Sequence, residues 1–171
     1  MLKLYHGECI QMNLGSGNGF KAFLAFLGLM AFFGLSLGDV VINEVELSPP
    51  DNGTVWVELY NSGDALVDLT GWTVKIEDGP WVGPIALDSS IDSKGFLAVD
   101  GQQNWITTGN GTVYLYDSSG NEVDKTSQQS DDSQSDFTYG RIPDGKKTDT
   151  KADFAFMMGS KGRSNGRGAM V

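Results

Sequence analysis

The chain has 171 residues, 40% of them hydrophobic and 20% charged, with 23 glycines and a net charge of −10. That length suits one ordinary domain rather than two, and the composition excludes a disordered chain. The charge is uneven: 18 acids face three bases between Asp39 and Gly140, whereas seven bases face three acids from Arg141 to Val171. A body this acidic is not expected to bind nucleic acid, because phosphate contacts need clustered Lys and Arg. Arg141, Lys146, Lys147, Lys151, Lys161, Arg163 and Arg167 read as a solvated basic end that offsets the body, the alternative being contact with an anionic surface.

Residues 22–37, AFLAFLGLMAFFGLSL, carry no charge and follow Lys21. The run is short of the roughly 20 residues that a spanning helix needs. Ser36 and Gly38 flank Leu37 in a small-x-small pattern that fits a cleavage site. Residues 1–38 are therefore expected to form a hydrophobic N-terminal helix, either a signal peptide cleaved after Gly38 or an uncleaved membrane anchor. The protein is accordingly expected to be secreted or at the cell surface, held in the membrane if the segment stays uncleaved. Residues 39–165 form the expected domain and 166–171 a short flexible tail. Cys9, the sole cysteine, lies in the leader, so the remainder has no disulfide.

From Val40 the pattern changes to period two. VVINEVEL (40–47) reads as a first strand, with Val41, Asn43, Val45 and Leu47 on one face. TVWVELY (54–60) follows, with Val55, Val57 and Leu59 inward. LVDL (66–69) and WTVKIED (72–78) flank Thr70-Gly71, where a bend is expected. Residues 79–83 read as a loop, PIAL (84–87) as a returning strand and FLAVD (96–100) as the next. TVYLYD (112–117) is the clearest strand, and NEVDKTS (121–127), FTYGRIPDG (137–145) and DFAFMM (153–158) complete the series. Seven to nine short strands separated by turn residues predict an all-β sandwich. The expected core is Val41, Val45, Val57, Leu59, Leu69, Trp72, Val74, Leu97, Val99, Val113, Leu115 and Val123, with Trp72 filling the space between two sheets.

Three linked segments, Ile42-Asn43-Glu44, Trp56-Val57-Glu58-Leu59-Tyr60-Asn61 and Val67-Asp68-Leu69-Thr70-Gly71-Trp72, resemble the opening of the lamin-tail domain family. LYDSSGNEVD (115–124), the run 139–145 and the closing 159–165 fit the same pattern, so the resemblance spans about residues 40–165. It implies an immunoglobulin-like β-sandwich. The leader and the acidic body look like the microbial exported branch, which is generally thought to act in adhesion or tethering. No rod heptads precede the domain, so a filament role is not carried over. The motif residues Asn43, Glu44, Trp56, Glu58, Asn61, Asp68, Gly71 and Trp72 are expected to be structural, the polar ones closing strand ends and turns through hydrogen bonds.

The sole histidine, His6, also lies in the leader. Ser-His-Asp and Cys-His catalysis, and zinc sites built on His or Cys, therefore find no residues in the domain. No catalytic residue, resident metal or cofactor is expected. Oxygen-rich loops at 117–124 and 130–136 leave calcium as the one cation to consider, although neither loop has the EF-hand spacing, and a plain hairpin turn and a solvated loop account for them. Asn52-Gly53-Thr54 and Asn110-Gly111-Thr112 are N-glycosylation sequons, with Asn52 and Asn110 as acceptors. Trp81 and Trp105, expected in loops, are the candidate binding aromatics. These features predict a non-catalytic interaction or tethering module whose partner is an extracellular protein, a glycan or an envelope component. The alternatives are a structural envelope subunit that self-associates through its sheet edges, and an accessory domain to a polysaccharide- or nucleic-acid-degrading enzyme.

Overall fold

The computed structural model describes residues 40–79, 81–101, 105 and 108–166, with the backbone alone for Trp81 and Val82. The expected N-terminal helix, its cleavage site and residues 167–171 lie outside the described residues. Residues Ser36–Val171 belong to one compact unit. Alternating apolar residues and frequent turns produce an all-β architecture in which two antiparallel sheets share one core, consistent with an immunoglobulin-like sandwich.

The first sheet has the order β12 (Phe154–Met158), β11 (Phe137–Arg141), β1 (Val40–Glu46), β2 (Trp56–Asn61) and β7 (Phe96–Asp100). The second has the order β10 (Gln129–Ser130), β8 (Asn110–Tyr116), β4 (Thr73–Asp78) and β5 (Trp81–Ala86), with β9 (Glu122–Lys125) also paired to β8. A ribbon of β3 (Val67–Asp68) and β6 (Ser90–Ile91) lies apart from both. Three of these twelve strands among the described residues, β3, β6 and β10, are two residues long. Segments that short leave no periodic signature, which is why the sequence pattern suggests fewer. Strand β5 starts at Trp81, which pairs with Asp78, so Trp81 lies in a strand and not in the expected loop.

A bulge corrects the expected face assignment in β1. The register shifts between Ile42 and Glu44, so Asn43 is the extra residue. Val40 and Ile42 therefore join Val45 and Leu47 in the core, while Val41, though buried, is not part of it. Across the gap they meet Val74, Ile76, Val113 and Leu115 of the second sheet.

The tryptophans exchange roles relative to expectation. Trp72 is half-buried at the margin of the core, ahead of β4. Trp105 is only 2% exposed and belongs to the core cluster. Its indole N–H donates to the Gly83 carbonyl at 2.6 Å. Gly101 makes room for it, since a Cβ there would stand 2.5 Å from the ring. Trp105 lies outside any strand, as expected, but it is a buried packing residue with a satisfied polar handle rather than an exposed aromatic.

Truncating Leu59 or Leu115, both fully buried, to Ala is expected to cost about 2–5 kcal/mol in urea unfolding. Trp105→Phe is expected to lose about 1–3 kcal/mol, because the buried Gly83 carbonyl is left without its donor.

Candidate functional site

Strand alternation places Val45, Val57 and Leu59 in the core and puts Glu44, Glu46 and Glu58 on the opposite face of the first sheet. Carboxylates on a sheet face would ordinarily meet water, but Glu44 and Glu58 are fully buried. The cover is the chain's own C-terminal stretch, residues 159–166, together with the turn at 143–145. Glu44 accepts from Thr138 Oγ1 at 2.5 Å and from the Ser160 backbone N–H and hydroxyl at 2.8 and 2.9 Å. Glu58 accepts from the Gly162 N–H at 2.5 Å and from Asn43 Nδ2 at 3.3 Å. Asn43 Nδ2 also donates to Asp144, and Asn43 Oδ1 accepts from the Gly145 N–H at 3.1 Å. Asn165 Nδ2 closes the arrangement on the backbone carbonyls of Asn43 and Arg141, each at 3.0 Å.

The remaining motif residues are also committed to structure. Asn61 donates to the carbonyls of Ala65, Ile91 and Asp92 and accepts from the Gly63 N–H, clamping two turns together. Asp68 accepts from the N–H and hydroxyl of Thr70, which turns the chain into Gly71. Gly71 stands at φ 79°, a conformation that side chains resist. Trp56 lies on the face of Glu44 and Glu58, with the Lys161 ammonium 5.3 Å from its ring centre.

Sequence reasoning assigned Arg141 to a solvated basic end, and the fold overturns this. Arg141 is 1% exposed. Its Nε donates to the Ile42 carbonyl at 2.6 Å, and its Nη2 pairs with both oxygens of Asp124 at 3.0 and 3.2 Å. Nη1 reaches Asp153 at 3.2 Å and also the Lys146 carbonyl. The guanidinium carbon lies 4.5 Å from the centre of the Phe154 ring. Lys147 adds a contact to Asp124 at 3.5 Å, and Lys161 pairs with Asp100. The signal available in the sequence was the position of Arg141 in an alternating segment, FTYGR, where a strand continues through the charge.

Among the described residues, no group of three or more His, Cys, Asp or Glu side chains could hold a metal ion. The two loops considered for calcium are built as turns. Asp117 Oδ1 accepts from the N–H groups of Ser119 and Asn121, and Asp131 Oδ1 accepts from Ser133. Asn52 is exposed at φ 58°, whereas Asn110 is half-buried at the start of β8 with Nδ2 on Thr108. No helix among the described residues is long and apolar enough to cross a membrane.

Residues 159–166 form a strap, and the side of the sheet that it covers has an opening. A groove of about 960 Å³ is lined by Glu46, Pro50, Trp56, Asp100, Asp136 and Lys161, among others. Burial raises the Glu46 carboxyl to about 7, opposed by the Ser48 N–H and reinforced by the charges of Asp131, Asp136 and Glu44. Burial likewise raises Glu58 to about 7, opposed by Gly162 and Asn43 and reinforced by Glu44 and Asp144.

The geometry thus defines a β-sandwich whose signature polar residues hold its own chain in place. The lamin tail domain family model matches residues 36–130, more than half of the chain. This chain belongs to the lamin tail domain family, a family of non-enzymatic, immunoglobulin-like domains. No curated protein matches the sequence. Strands β11 and β12, Arg141 and the strap all lie beyond the matched residues, yet they complete the first sheet and its cover.

Removing Arg141 strands two buried carboxylates, so Arg141→Ala is expected to cost about 3–5 kcal/mol in denaturant unfolding. Arg141→Lys should recover little of this, because an ammonium cannot reproduce the forked contacts. In the unfolded chain Glu46 and Glu58 ionise near 4.5, and in the folded chain near 7. The folded state therefore binds more protons between those values, and its stability is lost as pH rises through that window. Melting temperature is expected to fall from pH 5 to pH 8, and Glu46→Gln should flatten the decline.

Proposed function

We propose that this protein is an exported, non-catalytic lamin-tail protein of the microbial exported type. It acts as a secreted or cell-surface interaction module that tethers an extracellular protein, a glycan or an envelope component. The observation that carries this reading is the engagement of the motif carboxylates. Glu44 and Glu58 are buried and hydrogen-bonded within the chain, so neither is presented to a substrate. The apolar run 22–37, directly before the domain, supports export. The absence of His and Cys after residue 9 supports a role without nucleophilic chemistry.

A specific observation favours self-association as the second reading. Strand β12 is an edge of the first sheet, its five residues are uncharged, and Phe156 is 48% exposed. Phe156 lies 5.4 Å from Phe137, and Met158 is exposed beside them. An uncharged edge of this kind is open to strand addition.

Fractionation of the native host with intact-mass analysis tests the first reading. The expected product begins at Asp39 and is recovered from the medium or envelope washes. A full-length protein in the soluble cytoplasmic fraction would overturn export. Light scattering tests the second reading: mass should rise with concentration and return to the monomer value in Phe156→Lys.

A further inference from the structure

The corner around Glu46 is short of hydrogen-bond donors. Glu46 is only 3% exposed, and among the described residues its carboxylate receives one donor, the Ser48 N–H at 2.8 Å. Its electrostatic neighbours are Asp131, Asp136 and Glu44, all acids. Asp131 is itself buried, and its Oδ2 has no hydrogen-bond partner. Glu44 is saturated by Thr138 and Ser160 and has nothing to give. A buried carboxylate with too few donors is costly, and it is relieved by a proton or, at a pH where it is ionised, by a cation brought to it.

The same groove already demonstrates how it takes one. Lys161 places its ammonium over the Trp56 ring at 5.3 Å while pairing with Asp100, an aromatic face and a carboxylate on one cation. Glu46 and Asp136 repeat the carboxylate half of that arrangement, and among the described residues neither has a salt bridge. Pro49, Pro50 and Met158 supply apolar wall against which an aliphatic stem can lie. Arg163 also lines the groove and will disfavour a second cation close to it. The body from Asp39 to Gly140, the groove's own carboxylates included, carries 18 acids against three bases, a field that draws a basic partner toward it.

We propose that this groove binds a lysine or arginine side chain presented by an extended basic segment of a partner protein, with Glu46 and Asp136 as its acceptors. The proposal rests on the interaction-module reading above and names the chemistry of the partner. Binding and export are measured separately, so the failure of one is distinguishable from the failure of the other.

The probe is N-acetylated, amidated tetralysine, titrated into the protein at pH 8 and followed by calorimetry and by amide chemical shifts. The expected shifts map to Glu46, Ser48, Trp56, Asp136 and Gly159. Glu46→Gln is expected to weaken binding about tenfold or more, as loss of a buried partner of a charge pair does. Asp136→Asn should weaken it by a smaller factor. Asp117→Asn, which removes an equal charge from a distant hairpin, should change it by less than about twofold, as rim charges do. Glu46→Gln relieves a buried charge, so the variant is expected to fold, and its melting curve verifies this. Equal weakening by Glu46→Gln and Asp117→Asn would mean a diffuse acidic field and would overturn the proposal. Shifts centred elsewhere, or no binding by the wild type, would overturn it as well.

Discussion

The structure turns on one buried guanidinium. Arg141 sits on β11 in the first sheet, yet its strongest partner, Asp124, belongs to β9 in the second. The same Asp124 accepts the Ile42 N–H at 2.9 Å, while Arg141 Nε takes the Ile42 carbonyl. Both polar groups of one core residue of β1 are thus satisfied by an ion pair that crosses from sheet to sheet. Asp153 adds a second carboxylate to the guanidinium, and Lys147, 3.5 Å from Asp124, balances the charge. Burial alone would raise the Asp153 pKa, but donors from Thr148 and Thr150 and the Arg141 charge outweigh that and hold it below the usual value. Two carboxylates, backbone carbonyls and an aromatic face leave little of the guanidinium unsatisfied, the condition under which a buried ion pair can persist.

The bulge at Asn43 follows from the same region. An extra residue in β1 lets Val40 and Ile42 share a face with Val45 and Leu47. It also turns the Asn43 amide toward the opposite side, where it meets Glu58, Asp144 and the Gly145 N–H. The polar cover of the outer face and the apolar filling of the inner face are therefore set by one register shift. Glu44 and Glu58, cross-strand neighbours of like charge, would repel if left bare. The strap at 159–166 supplies Ser160 and Gly162 as donors, and Asn165 fixes its end to β1 and β11. A sheet face that would otherwise be wet becomes a second, polar interior.

The sequence discloses the strands better than the faces they present. Alternation located the longer strands to within a few positions, because period two survives wherever one face is buried, but it left the first half of β5, residues 81–83, as a loop. It failed at Asn43, since a bulge inverts the phase without changing composition. It also misplaced Trp105, whose irregular surroundings at 101–111 carry no periodic signal although a small residue, Gly101, yields the room for the ring. Arg141 was legible as a strand residue but not as a buried one, because its partners lie 12 and 17 positions away and no local pattern specifies them. The groove was not legible at all: Glu46, Trp56, Asp136 and Lys161 come from four separate segments that only the sheet and the strap bring together.

The motif residues serve the fold rather than a site. The motif residues Asn43, Glu44, Glu58 and Asn61 are spent on hydrogen bonds within the chain, so replacing any of them acts on the fold. Function on a shared architecture is carried by sites outside such structural residues. In this chain the acidic body and the basic end are not two independent patches. Arg141, Lys147 and Lys161 are already docked on Asp124 and Asp100, and residues 159–166 work as cover. Glu46, with a single donor and with Asp136 beside it in the groove, is where the acidic charge of the body meets an opening to solvent.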